Sequence, residues 1–220
     1  MPLAIFDLDN TLIAGDSDYL WGRYLIAQGV VDRDQYEELN DRFYRDYREG
    51  RLDIRAFLGF ALAPLRDHPL PDLLLWRSRF LCEMIEPVVL PRALALVEHH
   101  RQRGDRLLII TATNEFVTGP IAERFGISDL IATVPERRED RFTGEVAGVP
   151  AFREGKVSRL EEWMTDTGYD LADSTFYSDS HNDLPLLERV THPVAVDPDP
   201  RLRACAESRG WRILSLRDEV

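Results

Sequence analysis

The chain has 220 residues, 44% of them hydrophobic and 30% charged, a mixture that buries a core and argues against a wholly disordered polymer. Its 27 Lys and Arg against 39 Asp and Glu leave a formal charge of −12, and a surface that negative repels phosphate backbones and anionic lipid, so no nucleic-acid or membrane partner is expected. The acid excess does suit a divalent cation, which takes oxygen ligands.

Leu3 to Phe6 is a short apolar run that reads as a buried strand, and it leads directly into Asp7-Leu8-Asp9-Asn10-Thr11. Aspartates spaced by one residue share a face of an extended chain, and the carboxyl end of a parallel strand is where α/β proteins bind ligands. Two carboxylates forced together need a cation or a proton, an arrangement that suits a nucleophile beside a general acid. An acidic loop after a strand is the plainer reading. From about Asp16 to Ile85 no strand pattern occurs, only amphipathic helical spacing rich in aromatics, Tyr19, Trp21, Tyr24, Tyr36, Phe43 and Tyr44 among them. A helical insert is expected there, returning through Glu86 to Pro91, where two prolines bracket an extended run.

Helix, strand and helix follow: Arg92 to Arg103 stopping at Gly104, Leu107 to Ile110, and Glu115 to Phe125 stopping at Gly126. Thr111 comes straight after the second strand, where its hydroxyl serves either a phosphoryl oxygen or a helix cap. Leu130 to Val134 is expected as a strand, Phe142 to Val146 as a small hairpin, and Lys156 to Thr167 as a helix ending at Gly168. Lys156 is either a solvated surface charge or a site cation. Thr175 to Tyr177 is a further strand, and it precedes Ser178-Asp179-Ser180-His181-Asn182-Asp183. Those two aspartates, four apart around a turn, either cap a helix or serve a metal, one directly and one from behind. Val194 to Val196 is the next strand, and Asp199-Pro200 opens the next helix. The alternation predicts an α/β fold with a doubly wound parallel sheet, residues 1–15 and 87–220 forming the core and 16–86 an inserted helical cap.

Cys82 and Cys205 form no CxxC or Cys/His pattern, which argues against a disulfide scaffold or zinc site and fits a reducing compartment. The start of the chain has no basic or long apolar leader, and no stretch approaches the roughly 20 apolar residues of a membrane span. A soluble, cytoplasmic protein is expected. His68, His99, His100 and His192 show no ligand spacing and are expected at the surface, while His181 is a loop residue placed to approach a substrate.

Taken in this order, Asp7-Leu8-Asp9-Asn10-Thr11, Thr111, Lys156 and Ser178 to Asp183 resemble the four motifs of the haloacid dehalogenase superfamily, in the branch with a helical cap after the first motif that contains phosphoserine and histidinol-phosphate phosphatases. The resemblance spans essentially the whole chain. It implies a Mg²⁺-dependent phosphatase acting on a small phosphate ester. Asp7 would be the nucleophile and Asp9 the general acid and base. Asp7, Asp179 and the Asp9 main-chain carbonyl would hold the metal, Thr111, Ala112 and Lys156 the phosphate, and Asn182 and Asp183 would orient the set. Charge supports the metal: four carboxylates beside a phosphate dianion face one lysine, and like charges ~4 Å apart cost roughly 4 kcal/mol at an effective dielectric of ~20.

In such enzymes the cap sets specificity. Asp16 stands where phosphoserine phosphatases carry the acid that meets the substrate amine, with Asp18 beside it; N-capping of the following helix is the alternative. Their carboxylate-clasping arginine is replaced by Gly59 when Gly50-Arg51-Leu52 is aligned, with Arg51, Arg55 or Arg66 as possible substitutes. An amine-bearing substrate without a carboxylate is therefore expected, histidinol phosphate first, with its imidazole on Tyr19, Trp21 or Tyr24. Phosphoserine is the alternative, and a phosphotransferase that passes the group to a second alcohol is another. A receiver-like phosphoacceptor module has similar groups but carries its acceptor aspartate after a middle strand and lacks an early helical insert.

Overall fold

Leu3–Phe6 forms β1 with all four side chains buried, since an apolar run without alternation fits only a strand covered on both faces. The computed structural model describes residues 1–217. After β1 come α1 (Ser17–Ala27), α2 (Arg33–Arg48), α3 (Ile54–Ala61), α4 (Ala63–Asp67) and α5 (Leu70–Phe80). Aspartates open three of these: Asp16, Asp32 and Asp53 each accept a first-turn amide, which satisfies donors that a helix start leaves free. The return differs from the expected extended run. A π-helical turn (Leu81–Ile85) and a 3₁₀ turn (Glu86–Val88) carry the chain back, and Val89 bridges Ile13 before Pro91 opens α6 (Pro91–Gln102). Proline costs nothing at a first helical position, where its missing N–H is not needed.

The remainder alternates β2 (Arg106–Asn114), α7 (Glu115–Arg124), β3 (Asp129–Thr133), β4 (Pro135–Arg138), β5 (Arg141–Val146), α8 (Glu154–Thr167), β6 (Thr175–Ser178), α9 (Leu184–Leu187), β7 (His192–Val196), α10 (Pro200–Arg209) and β8 (Arg212–Leu214). Among the described residues a parallel sheet of six strands runs β3-β2-β1-β6-β7-β8, with β4 and β5 pairing as a separate antiparallel hairpin. The segment 142–146 is thus one arm of that hairpin, not the whole of it. Ala4 and Phe6 face a core with α6 and α7, whereas Leu3 and Ile5 face a second core with α8, α9 and α10. The sheet is wound on both sides, as the strand period of two demands.

Register positions the rest. Phe6 lies opposite Ile109 of β2 and Tyr177 of β6, so Asp7, Ile110 and Ser178 come level at the carboxyl side of the sheet, where β1 ends while β2 runs on to Asn114 beside β3. His100 is buried at 5% exposure, not at the surface: its Nδ1 meets Asp105 Oδ2 at 2.7 Å and its Nε2 the Tyr177 hydroxyl at 2.8 Å. Among the described residues, no helix is long and apolar enough to cross a membrane.

Candidate active site

At the carboxyl end of β1, Asp7 is 3% exposed and Asp9 8%. Lys156 is no surface charge. It is 2% exposed and donates to Asp7 Oδ1 at 2.7 Å and to Asp183 Oδ2 at 2.8 Å. A Cβ on the preceding Gly155 would stand 2.0 Å from the Pro150 carbonyl oxygen, so only glycine lets α8 start so close to that loop and send Lys156 inward. Asp183 also accepts from the Ser178 hydroxyl at 2.7 Å. The Thr11 hydroxyl stands between the Asp7 and Asp179 carboxylates, 3.4 and 3.3 Å from the nearest oxygen of each, and accepts the Asp179 amide at 3.1 Å. Residues 172 apart in sequence are thereby gathered around one threonine whose role the motif reading left unassigned.

Asp9 has different company. Its Oδ1 accepts the Ser17 amide at 2.6 Å; its Oδ2 accepts the Thr113 hydroxyl at 2.8 Å and lies 3.3 Å from that of Thr111. Thr111 sits within β2, not at a helix cap; the cap of α7 is Asn114, whose side chain accepts the Val117 amide. Ala112 lines the cleft beside it, its carbonyl taken by the Thr133 hydroxyl. Thr113 was missed in sequence, although alternation along a strand puts it on the face of Thr111.

Asn182 does not reach the carboxylate cluster. Its side chain donates to the Tyr47 carbonyl at 3.1 Å and accepts from Arg153, which also donates to the Gly50 carbonyl at 2.7 Å. With Arg201 of α10 on the Glu49 carbonyl, three separate segments of the chain thus hold carbonyls of residues 47–50 at the C-terminal end of α2. His181 turns from the cleft as well: its Nδ1 meets Asp199 Oδ2 at 2.7 Å.

Above Asp7, Asp9 and Thr111 to Thr113, the cleft is walled by Asp16, Asp18, Tyr19, Asn40, Tyr44, Tyr47, Leu52, Ile54 and Phe57. Asp16 both caps α1 through the Tyr19 amide and faces the cleft, so its two readings are compatible. Asp18 is tied to β2 by the Asn114 amide at 3.0 Å. Of the three aromatics singled out in sequence only Tyr19 lines the cleft. Trp21 and Tyr24 are 2% exposed and pack with Phe80, because their helix face turns to the core. Among the described residues no arginine or lysine lines this part of the cleft; Arg48 and Arg217 line the adjoining pocket, which shares Tyr44 and Tyr47 with it and holds Asp179. Arg51 pairs with Asp46 and Glu49, Arg66 with Asp67, and Arg55 and Gly59 lie outside it.

Burial raises the Asp7 carboxyl to about 7 against the pull of Lys156, with Asp183 and Asp9 adding repulsion. Asp179 is pushed well above the usual carboxylate range by burial, then by Asp7 and Asp183. Buried Asp7 and half-buried Asp179, held beside one another around Thr11, are under-neutralised by one ammonium, and hard oxygens in that state fit a hard divalent cation. Among the described residues no three acidic, histidine or cysteine side chains close into a ligand cage. Two carboxylates are what Mg²⁺ commonly takes from a protein, the remainder coming from water and phosphate oxygens.

The sequence model of the haloacid dehalogenase-like hydrolase family matches residues 4–188. A histidinol-phosphatase of Neisseria meningitidis is 46% identical over 219 residues, covering 98% of this chain and 99% of that protein. Phosphoserine phosphatase SerB1 of Mycobacterium tuberculosis is 33% identical, covering 97% and 70% respectively. A crystal structure of a Bordetella pertussis protein of unknown function superposes with a TM-score of 0.93 at 43% identity, covering 98% of this chain and 99% of that one. A phosphoserine phosphatase solved as a phospho-aspartyl intermediate analogue shares the fold, with a TM-score of 0.73 at 19% identity over 99% and 94% of the two chains.

Proposed function

This chain belongs to the haloacid dehalogenase-like hydrolase family and is a phosphoric monoester hydrolase, and from that premise we propose that it dephosphorylates a small amine-bearing phosphometabolite, histidinol phosphate first. The observation that carries the choice is the wall of the cleft. Two acids stand among aromatic rings, and the pocket that they share with Asp7 and Asp9 has no arginine or lysine in its lining. A leaving group with an ammonium for Asp16 and Asp18 and a flat ring for Tyr19, Tyr44 or Phe57 complements that wall.

The chemistry we assign to the residues is the one that the family resemblance implies, and their surroundings support it. Asp7 attacks phosphorus in line, the bond to the leaving alkoxide breaks, and an aspartyl-phosphate forms. Asp9 gives its proton to the alkoxide and then takes one from the water that hydrolyses the intermediate, which releases phosphate and restores Asp7. Lys156 keeps Asp7 in place while offering charge to the phosphoryl oxygens, and Thr111 and Ala112 supply the opposite side. Asp183 fixes the Lys156 ammonium. Asn182 acts on the other flank, holding the Tyr47 carbonyl and accepting from Arg153. The Asp7 and Asp179 side chains with the Asp9 main-chain carbonyl would hold a Mg²⁺ ion, which when bound neutralises phosphoryl charge. Residues 16–86 act as the cap over residues 1–15 and 87–220.

The test is a screen of phosphorylated metabolites with and without EDTA, followed by kcat/KM for histidinol phosphate and phosphoserine. Phosphate release that EDTA stops, with histidinol phosphate preferred, is expected. A clear preference for phosphoserine would overturn the substrate assignment, and release only in the presence of an acceptor alcohol would make the enzyme a phosphotransferase.

A further inference from the structure

Asp9 is the residue that the proposed reaction asks to meet two different oxygens, first the leaving alkoxide and then a water. A carboxylate with two such duties has to be held from behind. The donors that hold it come from two separate parts of the chain. Ser17 is the first residue of α1, so its amide is one of the donors a helix start leaves free, and it reaches Asp9 Oδ1 at 2.6 Å. Thr113 lies near the end of β2, 5% exposed, and its hydroxyl donates to Asp9 Oδ2 at 2.8 Å.

Thr111 competes for the same oxygen at 3.3 Å, but its hydroxyl is also the group proposed to turn toward phosphate. The Thr113 amide already donates to Thr111 Oγ1 at 3.2 Å, leaving that oxygen's own hydrogen free to swing. Once it swings to a phosphoryl oxygen, Thr113 is the side-chain donor that stays on Asp9 Oδ2. Threonine is suited to this, because a β-branched side chain in a strand is stiff about its first torsion and points its hydroxyl one way.

We infer that Thr113 is a positioning residue for the leaving-group step, fixing the Asp9 carboxylate between β2 and the first turn of α1. The inference rests on the phosphatase reading and concerns Asp9 alone. Its consequence is selective. A misplaced Asp9 harms esters whose alkoxide needs a proton, and matters far less for an ester whose leaving group departs unprotonated.

The experiment measures kcat/KM of the Mg²⁺-supplied full chain for 2-aminoethyl phosphate, a poor leaving group, and for p-nitrophenyl phosphate, an activated one. Thr113→Val is expected to lose about tenfold to a hundredfold on the first ester, the scale of a displaced catalytic group, and markedly less on the second. Thr113→Ser, which keeps the donor, is expected to recover most of the loss. Should the valine variant not fold, Thr113→Ala against Thr113→Ser carries the same contrast. Equal losses on both esters, no loss on the first, or a serine variant as poor as valine overturns the inference. A wild-type chain that releases phosphate from neither ester nor from histidinol phosphate sinks the phosphatase reading itself, and the inference with it.

Discussion

Around the floor of the cleft, the acids meet groups of the protein's own making: Lys156 lies between Asp7 and Asp183, and threonine hydroxyls stand against Asp9 and Asp179. In the wall supplied by residues 16–57, Asp16 and Asp18 are set among aromatic rings, yet what they receive is neutral, a backbone amide and the amide of Asn114. On one side a lysine and hydroxyls of the protein meet part of the charge and the rest suits a metal ion; on the other, neutral partners leave the acids for a ligand to answer. A floor of that kind is built for one reaction whatever is bound above it. A wall of that kind selects what is bound.

The contrast breaks first at Asp7. Replacing it by asparagine keeps the shape and removes the nucleophile, so Asp7→Asn is expected to cut phosphate release by at least ~10⁴-fold on every substrate, the scale seen when an essential nucleophile is lost. A variant with near-normal turnover would remove Asp7 from that role and make the floor a mere acidic loop. The next effect is on stability. Lys156→Met leaves two buried carboxylates without their ammonium, and breaking such a pair from one side costs about 3–5 kcal/mol. Urea unfolding of the wild type and the variant checks this. A loss under about 1 kcal/mol, the range of an exposed ion pair, would mean that solvent reaches the cluster.

How far each side was legible in the sequence follows from the same contrast. The floor is written in short-range order: an apolar run ending at Phe6, aspartates on alternate residues, a further pair after Tyr177. Parallel register then brings those segments together, since Phe6 stands level with Ile109 and Tyr177 across the sheet. The misses there are polar residues whose partners are remote, such as Thr11 against Asp179 and Thr113 against Asp9. The wall is written in aromatics at helical spacing, and such a stripe does not say which members face a cleft. Trp21 and Tyr24 went to the core, while Tyr44, Tyr47 and Phe57 line the cleft, a choice made by how α1 packs against Phe80. The grip of Arg153, Asn182 and Arg201 on residues 47–50 joins segments about a hundred residues or more apart, and no local pattern announces it.

The smallest expected effect is the one that sharpens the comparison most, because it separates stability from selection at a single wall residue. Burial raises the Asp18 carboxyl to about 7, the charge of Asp9 adds to the rise, and the hydrogen bond from Asn114 opposes it. Its value in the folded chain therefore lies above the unfolded one. Between about pH 4 and pH 7 the native state keeps a proton that the unfolded state has given up. The stabilisation is complete below the unfolded value and is lost as pH rises through about 7. Asparagine does not titrate, so Asp18→Asn should flatten that part of the pH dependence and be the more stable chain at pH 8, as measured by urea unfolding at pH 5 and pH 8. The same variant should show a higher KM for an amine-bearing ester and little change for one without an amine, since a neutral amide no longer answers an ammonium. A variant with the wild-type slope, or with both substrates equally affected, would return Asp18 to the role of a helix-start acid and leave Asp16 alone to choose the ligand. That division is what the wall geometry argues against, because Asn114 pins Asp18 to the strand that carries Thr111 and Thr113.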